Sequence, residues 1–256
     1  MERQVYDQMR LVEQDHWWFA ARREILASEI ARLPLPKSAE VLEVGCGAGG
    51  NLEMMARFGD VSAVEPDAAS REWAARRSRA RVWDGLLPDG LPDFGRSFDL
   101  VGAFDVVEHV SEDGPTLRAL HNALKPGGFL VATVPAYPWM WSEHDERHHH
   151  KRRYDAPTFR RLAEEAGLIV RRNTYFNTLL FPLIATARLA SSAVGSGSSG
   201  GDALPRPWIN RLLKGLFASE RRLLRFADLP FGVSILMIAQ RPAQQTPYKL
   251  TAPAAH

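Results

Sequence analysis

Residues 41–51 read "VLEVGCGAGGN". A short run that reads as a strand ends in four glycines, Gly45, Gly47, Gly49 and Gly50, set around the chain's single cysteine, Cys46. Glycine lacks a Cβ, so it turns through left-handed backbone and lets another group come close. The loop is therefore either a tight strand-to-helix turn or a cradle for a ligand.

The pattern around it sets the fold class. Val41 to Val44, Val61 to Glu65, Ala80 to Trp83, Asp99 to Phe104, Phe129 to Val134, Leu168 to Phe176 and Ser234 to Gln240 each read as strands. Helical stretches lie between them: Asn51 to Phe58, Asp67 to Ser78 with Asp67 as N-cap, Pro115 to Leu124 closed by "KPGG", and Pro157 to Ala166 capped by Asp155. Alternation of this kind builds a doubly wound, mostly parallel α/β sheet, here of seven strands. Two stretches interrupt the rhythm. "SSAVGSGSSGGD", Ser191 to Asp202, has the composition of a flexible loop, and "PWINRLLKGLFASERRLLRF" follows with apolar residues at helical spacing. Together they read as a helical lid inserted before the last strand.

Bulk properties narrow the function. A chain of 256 residues, 45% hydrophobic and 24% charged, can bury a full core as a soluble globular protein. The net charge of +2 offers no field for a polyanion, so nucleic acid is not expected as a partner. One cysteine excludes an internal disulfide and a multi-cysteine zinc site, and the polar start "MERQVYDQMR" lacks the apolar core of a secretory signal; a cytoplasmic setting is expected. The most apolar stretch, Tyr175 to Ala187, is broken by Pro182. It is shorter than the ~20 residues of a spanning helix, which leaves peripheral contact with a membrane, or a greasy ligand, open.

In a doubly wound sheet the ligand sits beyond the carboxyl ends of the strands, where the loop after the first strand lies. Gly45, Gly47 and Gly49 are spaced G-x-G-x-G, whereas the dinucleotide fingerprint G-x-G-x-x-G sets its third glycine one residue later. A pyrophosphate is therefore disfavoured. Glu43 lies at the end of the first strand, and Glu65 closes the second, where an acid can accept both hydroxyls of a ribose.

"VLEVGCGAGG", "VSAVEPD", "VWDG", "SFDLVGAFDVVEHV" and "LKPGGFLVATVP", in this order, resemble the class I S-adenosylmethionine-dependent methyltransferases over residues 38–177. The resemblance implies that Gly45, Cys46 and Gly47 line the methionine and ribose part of S-adenosyl-L-methionine, with Glu43 held toward its amino group. It further implies that Glu65 binds the ribose diol, Pro66 packs beside the adenine, and Asp84 with the Gly85 backbone reads the adenine edge. Phe104 and Asp105 would lie by the methionine, and the last strand would run antiparallel. The amino-terminal "HWWFAARR" is similar to a bacterial subset in which a helix folds over the cofactor. Trp17 or Trp18 would then shield the sulfonium, and Arg22 or Arg23 would meet the carboxylate. Plain core packing explains the same residues equally well.

Methyl transfer asks mainly for orientation and exclusion of water, with a base where the acceptor carries a proton of high pKa. His109, just after the fourth strand, is the first candidate base and His144 the second. The loop "PAYPWMWSEHDERHHHKRRYD" offers Tyr137, Trp139 and Trp141 as an acceptor wall. Its Arg152, Arg153 and Tyr154 either bind an anionic group or anchor the loop. The spacing of His144, Asp145, His148 and His149 fits no specific metal pattern, so no metal is expected. The expected activity is methyl transfer to a small or lipid-like acceptor, most naturally at oxygen, against two rivals: a nucleotide-linked oxidoreductase and a non-catalytic cofactor-binding scaffold. The expected plan is amino-terminal cap helices at 1–37, a cofactor-binding core at 38–177, the lid at 178–229, the final strand at 230–241 and a disordered tail at 242–256.

Overall fold

Alternation along one strand decides what covers each face of the sheet. In β1 (Glu40–Val44), Val41 joins an apolar cluster with Ile25, Ile30 and Met55, while Leu42 and Val44 join another with Leu117, Leu120 and Phe159. Successive side chains point to opposite faces, so a strand apolar at both parities must be covered twice. A computed structural model of the protein, describing residues 3–194 and 204–243, shows both covers.

β2 (Asp60–Val64) and β3 (Arg81–Trp83) extend the sheet on one side of β1, and β4 (Phe98–Phe104) and β5 (Leu124–Pro135) on the other, all parallel. β6 (Ile169–Phe176) lies at the far edge, and β7 (Ser234–Gln240) inserts antiparallel between β5 and β6. The order is β3-β2-β1-β4-β5-β7-β6, a doubly wound seven-stranded sheet with one antiparallel strand, as expected. Strand order turns back between β1 and β4, opening a crevice beyond their carboxyl ends.

α1 (Arg3–Val12) and α2 (Trp17–Ile30) precede the sheet, and α3 (Leu52–Met55) follows the glycine loop. α4 (Ala68–Arg77) is capped by Asp67, which accepts from the Ser70 N–H at 2.8 Å. α5 (Asp113–Ala123) and α7 (Ala156–Glu165) cover the Leu42 face, and Asp155 caps α7 through the Thr158 N–H at 2.8 Å. α6 (Glu143–Arg147) is one short turn of helix between β5 and α7.

Two expected boundaries move for local reasons. The helix expected over Asn51 to Phe58 shrinks to α3, because its last turn tightens: the Arg57 and Phe58 N–H groups donate three residues back, to the Met54 and Met55 carbonyls at 3.3 and 2.9 Å. The "KPGG" segment belongs to β5 and does not sit outside it: Gly127 takes φ +83°, and Lys125 bonds Asp99 across to β4 at 2.7 Å.

The insertion before β7 holds α8 (Phe181–Val194) and α9 (Pro207–Leu223). α9 lies along α2, and Phe217 packs between Trp18 at 5.2 Å and Phe176 at 5.8 Å between ring centroids. Glu220, fully buried on α9, accepts from the Asn177 N–H at 2.7 Å and the Leu179 N–H at 2.8 Å, fixing the exit of β6 and the entry to α8. The expected Gly/Ser loop falls mostly on residues 195–203 and the expected tail mostly on 244–256, outside the described residues. Among the described residues, no helix is long and apolar enough to cross a membrane.

Phe217→Ala is expected to cost about 3–5 kcal/mol in urea unfolding, since it empties the α2–α9 seam. Trp208→Ala, at a position 60% exposed, should stay within about 0.5 kcal/mol.

Candidate active site at the ends of the central strands

Beyond the ends of β1, β2 and β4 lies a cavity of about 760 Å³, walled on its far side by α1 and α2. The glycine loop forms its floor. Gly45, Gly47 and Gly49 have φ of +69°, +55° and +87°, backbone that side-chain-bearing residues rarely adopt. A Cβ at Gly45 would lie 2.6 Å from Val106 Cγ2, whereas one at Gly47 would meet nothing within 4 Å. Gly45 is thus glycine for packing, and Gly47 faces open cavity.

Glu65 holds this loop in place. Its Oε2 accepts from the Gly47 N–H at 2.8 Å and its Oε1 from the Asp67 N–H at 2.9 Å. Burial raises its pKa, and the two N–H bonds oppose that rise. Each carboxylate oxygen accepts more than one bond, so Glu65, on the cavity wall, keeps capacity for a diol. Cys46 is buried in the loop, and desolvation pushes its thiol far up, so it is an inert packing group.

Glu43 lies behind the loop and outside the cavity lining, with Oε1 accepting from Asn51 Nδ2 at 2.8 Å. Its Oε2 is buried without a partner, and burial raises the group to about 8. Pro66 and Gly85 line the cavity beside Leu86 and Leu87. Asp84 does not line it: the side chain is exposed and pairs with Arg71 at 3.0 Å. Leu86 and Leu87, which the sequence reading passed over, supply that wall.

Phe104 and Asp105 close β4 on the cavity side. Asp105 takes φ +57°, accepts from the Thr133 hydroxyl at 2.8 Å, and forms an ion pair with the buried Arg22 of α2. Trp18 and Arg22 both line the cavity, so α2 presents an aromatic ring and a guanidinium to it. Trp17 and Arg23 line it too; Arg23 donates to the Glu13 and Gln14 carbonyls at 2.7 and 2.6 Å, fastening α2 to the end of α1.

His109 and His144 line the same cavity. His109 ends a 3-10 turn after β4, with its ring centroid 4.7 Å from that of His150. Burial first, then the neighbouring His150 and His148 rings, depress His109 to about 3. The ordinary imidazole pKa expected from sequence does not hold in this environment, because an apolar surround and adjacent rings both oppose a positive charge. His144 is the second residue of α6, with its ring centroid 4.1 Å from that of His148.

The rest of the histidine loop is an anchor. Asp145 is fully buried; burial alone would raise its pKa, but bonds from His150 Nδ1 and Arg153 Nε, both 2.8 Å, hold it well below the usual range. Arg152 and Tyr154 converge on Asp113 at 2.6 and 3.2 Å. Of the alternatives for Arg152, Arg153 and Tyr154, their protein contacts are those of anchors. Tyr137, Trp139 and Trp141 do not line the cavity; Tyr137 stacks between Tyr175 and Trp139 instead. Ile184, Ala187 and Arg188 of α8 form that wall, together with Arg147. Glu108 and His150 were also missed as lining residues. The one linear signal was the position of Glu108 beside His109.

Residues 18–173, well over half of the chain, match a family model described as a methyltransferase domain. The chain belongs to this family, within the class I S-adenosylmethionine-dependent methyltransferases, and S-adenosyl-L-methionine is its cofactor. Among curated relatives, a ubiquinone biosynthesis O-methyltransferase of Ruegeria pomeroyi is 38% identical over 101 residues, 37% of this chain and 40% of that protein. One from Cereibacter sphaeroides is 37% identical over 122 residues, 43% of this chain and 49% of that protein. The chain thus spans less than half the length of these curated relatives.

Solved structures share the fold. A putative methyltransferase in complex with the Haloferax volcanii Trm112 activator superposes with a TM-score of 0.62 at 18% identity, covering 95% of this chain and 98% of that one. A putative sarcosine dimethylglycine methyltransferase from Galdieria sulphuraria gives 0.58 at 17% identity over 88% and 86%.

The residues present fit the cofactor: open space at Gly47, a buried acceptor on Glu65, and Trp18 and Arg22 on the same cavity, while Glu43 stands behind the loop and does not reach it. Glu65→Ala should weaken S-adenosylmethionine binding in calorimetry by ~1.5–3 kcal/mol, because a charged acceptor and the brace of the loop are lost together. Gly47→Val should abolish binding while the chain still folds; retained affinity would show the loop to be only a turn.

Glu43 also sets a pH dependence. Its folded pKa, about 8, lies above the ordinary 4.5, so its contribution to stability is fully present below pH 4.5 and is lost as pH rises through about 8. In thermal unfolding without cofactor, Glu43→Gln should flatten the decline in stability across that window.

Proposed function

We propose that the protein is an O-methyltransferase whose acceptor is a small, partly apolar molecule bearing a hydroxyl. The observation that carries this reading is the composition of the cavity lining: His109 and His144 line it together with Ile184 and Ala187, so polar groups suited to a hydroxyl share the cavity with apolar side chains. The names of the curated relatives, O-methyltransferases of ubiquinone biosynthesis, support oxygen as the acceptor atom.

When bound, S-adenosyl-L-methionine supplies a methyl group on a sulfonium sulfur, which leaves as a neutral thioether. The chain's own residues do the rest. On this reading Glu65 and the Gly45–Gly47 loop orient the cofactor, with Pro66 and Gly85 beside its adenine and Asp84 kept to the rim by Arg71. Trp18 excludes water, and Arg22, now paired with Asp105, exchanges partners when the methionine carboxylate arrives. α1 and α2 serve as the cap, in the manner of the "HWWF" subset, and α8 serves as the lid.

His109, with so low a proton affinity, does not store a proton; it lines the place of the acceptor oxygen without deprotonating it. His144 takes the proton. As the O–CH3 bond forms and the S–CH3 bond breaks, the hydroxyl proton passes to His144 and then to solvent.

The test is methyl transfer from labelled cofactor to an alkyl-substituted phenol and to the amine of the same skeleton. Label in the phenol supports the reading; label in the amine alone overturns it. At saturating cofactor, His144→Ala should lower phenol turnover by ~10²- to 10⁴-fold with cofactor affinity unchanged. A steep loss only in His109→Ala would reverse the order of the two histidines.

A further inference from the structure

We propose that Glu108, His109 and His150 form a site for one divalent cation of the first transition row, set in the cavity wall where the acceptor oxygen is placed. The role of the cation deepens the reading as an O-methyltransferase and rests on it; the site itself does not.

One ligand atom from each of the three residues lies within 4.8 Å of the others. All three line the cavity, so a bound ion would have open positions toward it. The fold creates the cluster through a backbone bond: the Lys151 N–H donates to the Glu108 carbonyl at 2.7 Å, tying the histidine loop to the turn after β4. Neither segment holds three ligands alone.

Glu108 is the independent observation. Its side chain is completely buried, and among the described residues no other residue donates a hydrogen bond to either carboxylate oxygen. Buried polar atoms are almost always answered, so a carboxyl group with neither oxygen answered has both open to a ligand. The guanidinium groups nearby are committed elsewhere, Arg22 to Asp105 and Arg153 to Asp145 and the Ala136 carbonyl.

The histidines are held as ligands are held. His150 Nδ1 bonds Asp145 Oδ1 at 2.8 Å, which directs the lone pair of a neutral ring to Nε2. Asp145 is itself fixed by Arg153 and by the Ser142 N–H at 2.9 Å, a carboxylate–histidine pair of the kind that orients metal ligands. His109 donates to the His148 backbone, which leaves the lone pair of a neutral ring on its second nitrogen. Two imidazoles and one carboxylate suit manganese, iron, cobalt or zinc better than magnesium, which prefers oxygen ligands and keeps its waters. In this position the cation would draw electron density from an acceptor hydroxyl, easing passage of its proton to His144.

The test uses the full chain, stripped of metal by chelator, with manganese chloride titrated and bound ion read by electron paramagnetic resonance. One saturable site is expected, weakened more than ~10-fold in both Glu108→Gln and His150→Ala, with Asp145→Asn lowering affinity ~10- to 100-fold through His150. Cofactor calorimetry on each variant gives the folded fraction, so manganese binding is counted per folded molecule. The readout needs no acceptor: binding lost in both variants supports the site even where no phenol is methylated. Absence of saturable binding at millimolar manganese, or equal binding in wild type and variants, overturns it even where methyl transfer to a phenol proceeds. Preference for magnesium over manganese overturns it too.

Discussion

The carboxylate of Glu65 is the constraint from which the cavity follows. β1 and β2 run parallel, so their carboxyl ends emerge side by side, and each must turn away into a helix. By accepting one N–H from the loop after β1 and one from the loop after β2, Glu65 fixes both departures with a single side chain. The turn this imposes needs left-handed backbone at Gly45, Gly47 and Gly49, which is why the loop is rich in glycine whether or not a ligand is bound. The same bonds leave Gly47 facing the cavity, so the structural demand of the turn and the functional demand of close approach fall on one residue.

The amino-terminal helices and the insertion are two sides of one seam. Trp17 and Trp18 of α2 meet Phe217 of α9, and the buried Glu29 of α2 pairs with Arg172 of β6 at 2.5 Å. An insertion held by an aromatic cluster and by the Glu220 carboxylate cannot swing as a whole without breaking buried contacts. α8 is held in turn: Ala185 packs on Met140 and Val233, and Arg188 donates to the Met140 carbonyl at 2.9 Å, so the wall carrying Ile184 is fixed to the segment that follows β5.

What was legible in the sequence was what local periodicity determines. The strands, the helix caps at Asp67 and Asp155 and the glycine loop depend on neighbours within a few residues, and they form near where the pattern places them. Readings that needed a side chain's direction fared differently. Asp84 stands at the end of β3 as the pattern indicates, but Arg71, one turn into α4, draws it to the surface. Trp139 and Trp141 follow β5 on the correct rim, yet stacking among Tyr137, Tyr175 and Phe181 turns that segment away from the cavity. The meeting of Glu108 with His150 was invisible, because it is made by one backbone bond between segments whose sequences say nothing of each other.

The acids around the cavity can be compared by what answers their charge. Glu43 takes an amide from Asn51, Glu65 two backbone N–H groups, Asp105 a guanidinium and a hydroxyl, and Asp145 a guanidinium, an imidazole and a backbone N–H. Each answer suits the use proposed for the residue. Two N–H donors leave Glu65 acceptor capacity for a cofactor, Glu43 keeps to the back of the loop, and Asp145 is saturated and only orients its neighbours. Glu108, buried as deeply as any of them, draws no such donor. A chain that answers four neighbouring carboxylates with fixed donors has the means to answer a fifth. Leaving Glu108 open beside two lone-pair nitrogens follows from a site whose positive charge arrives from solution.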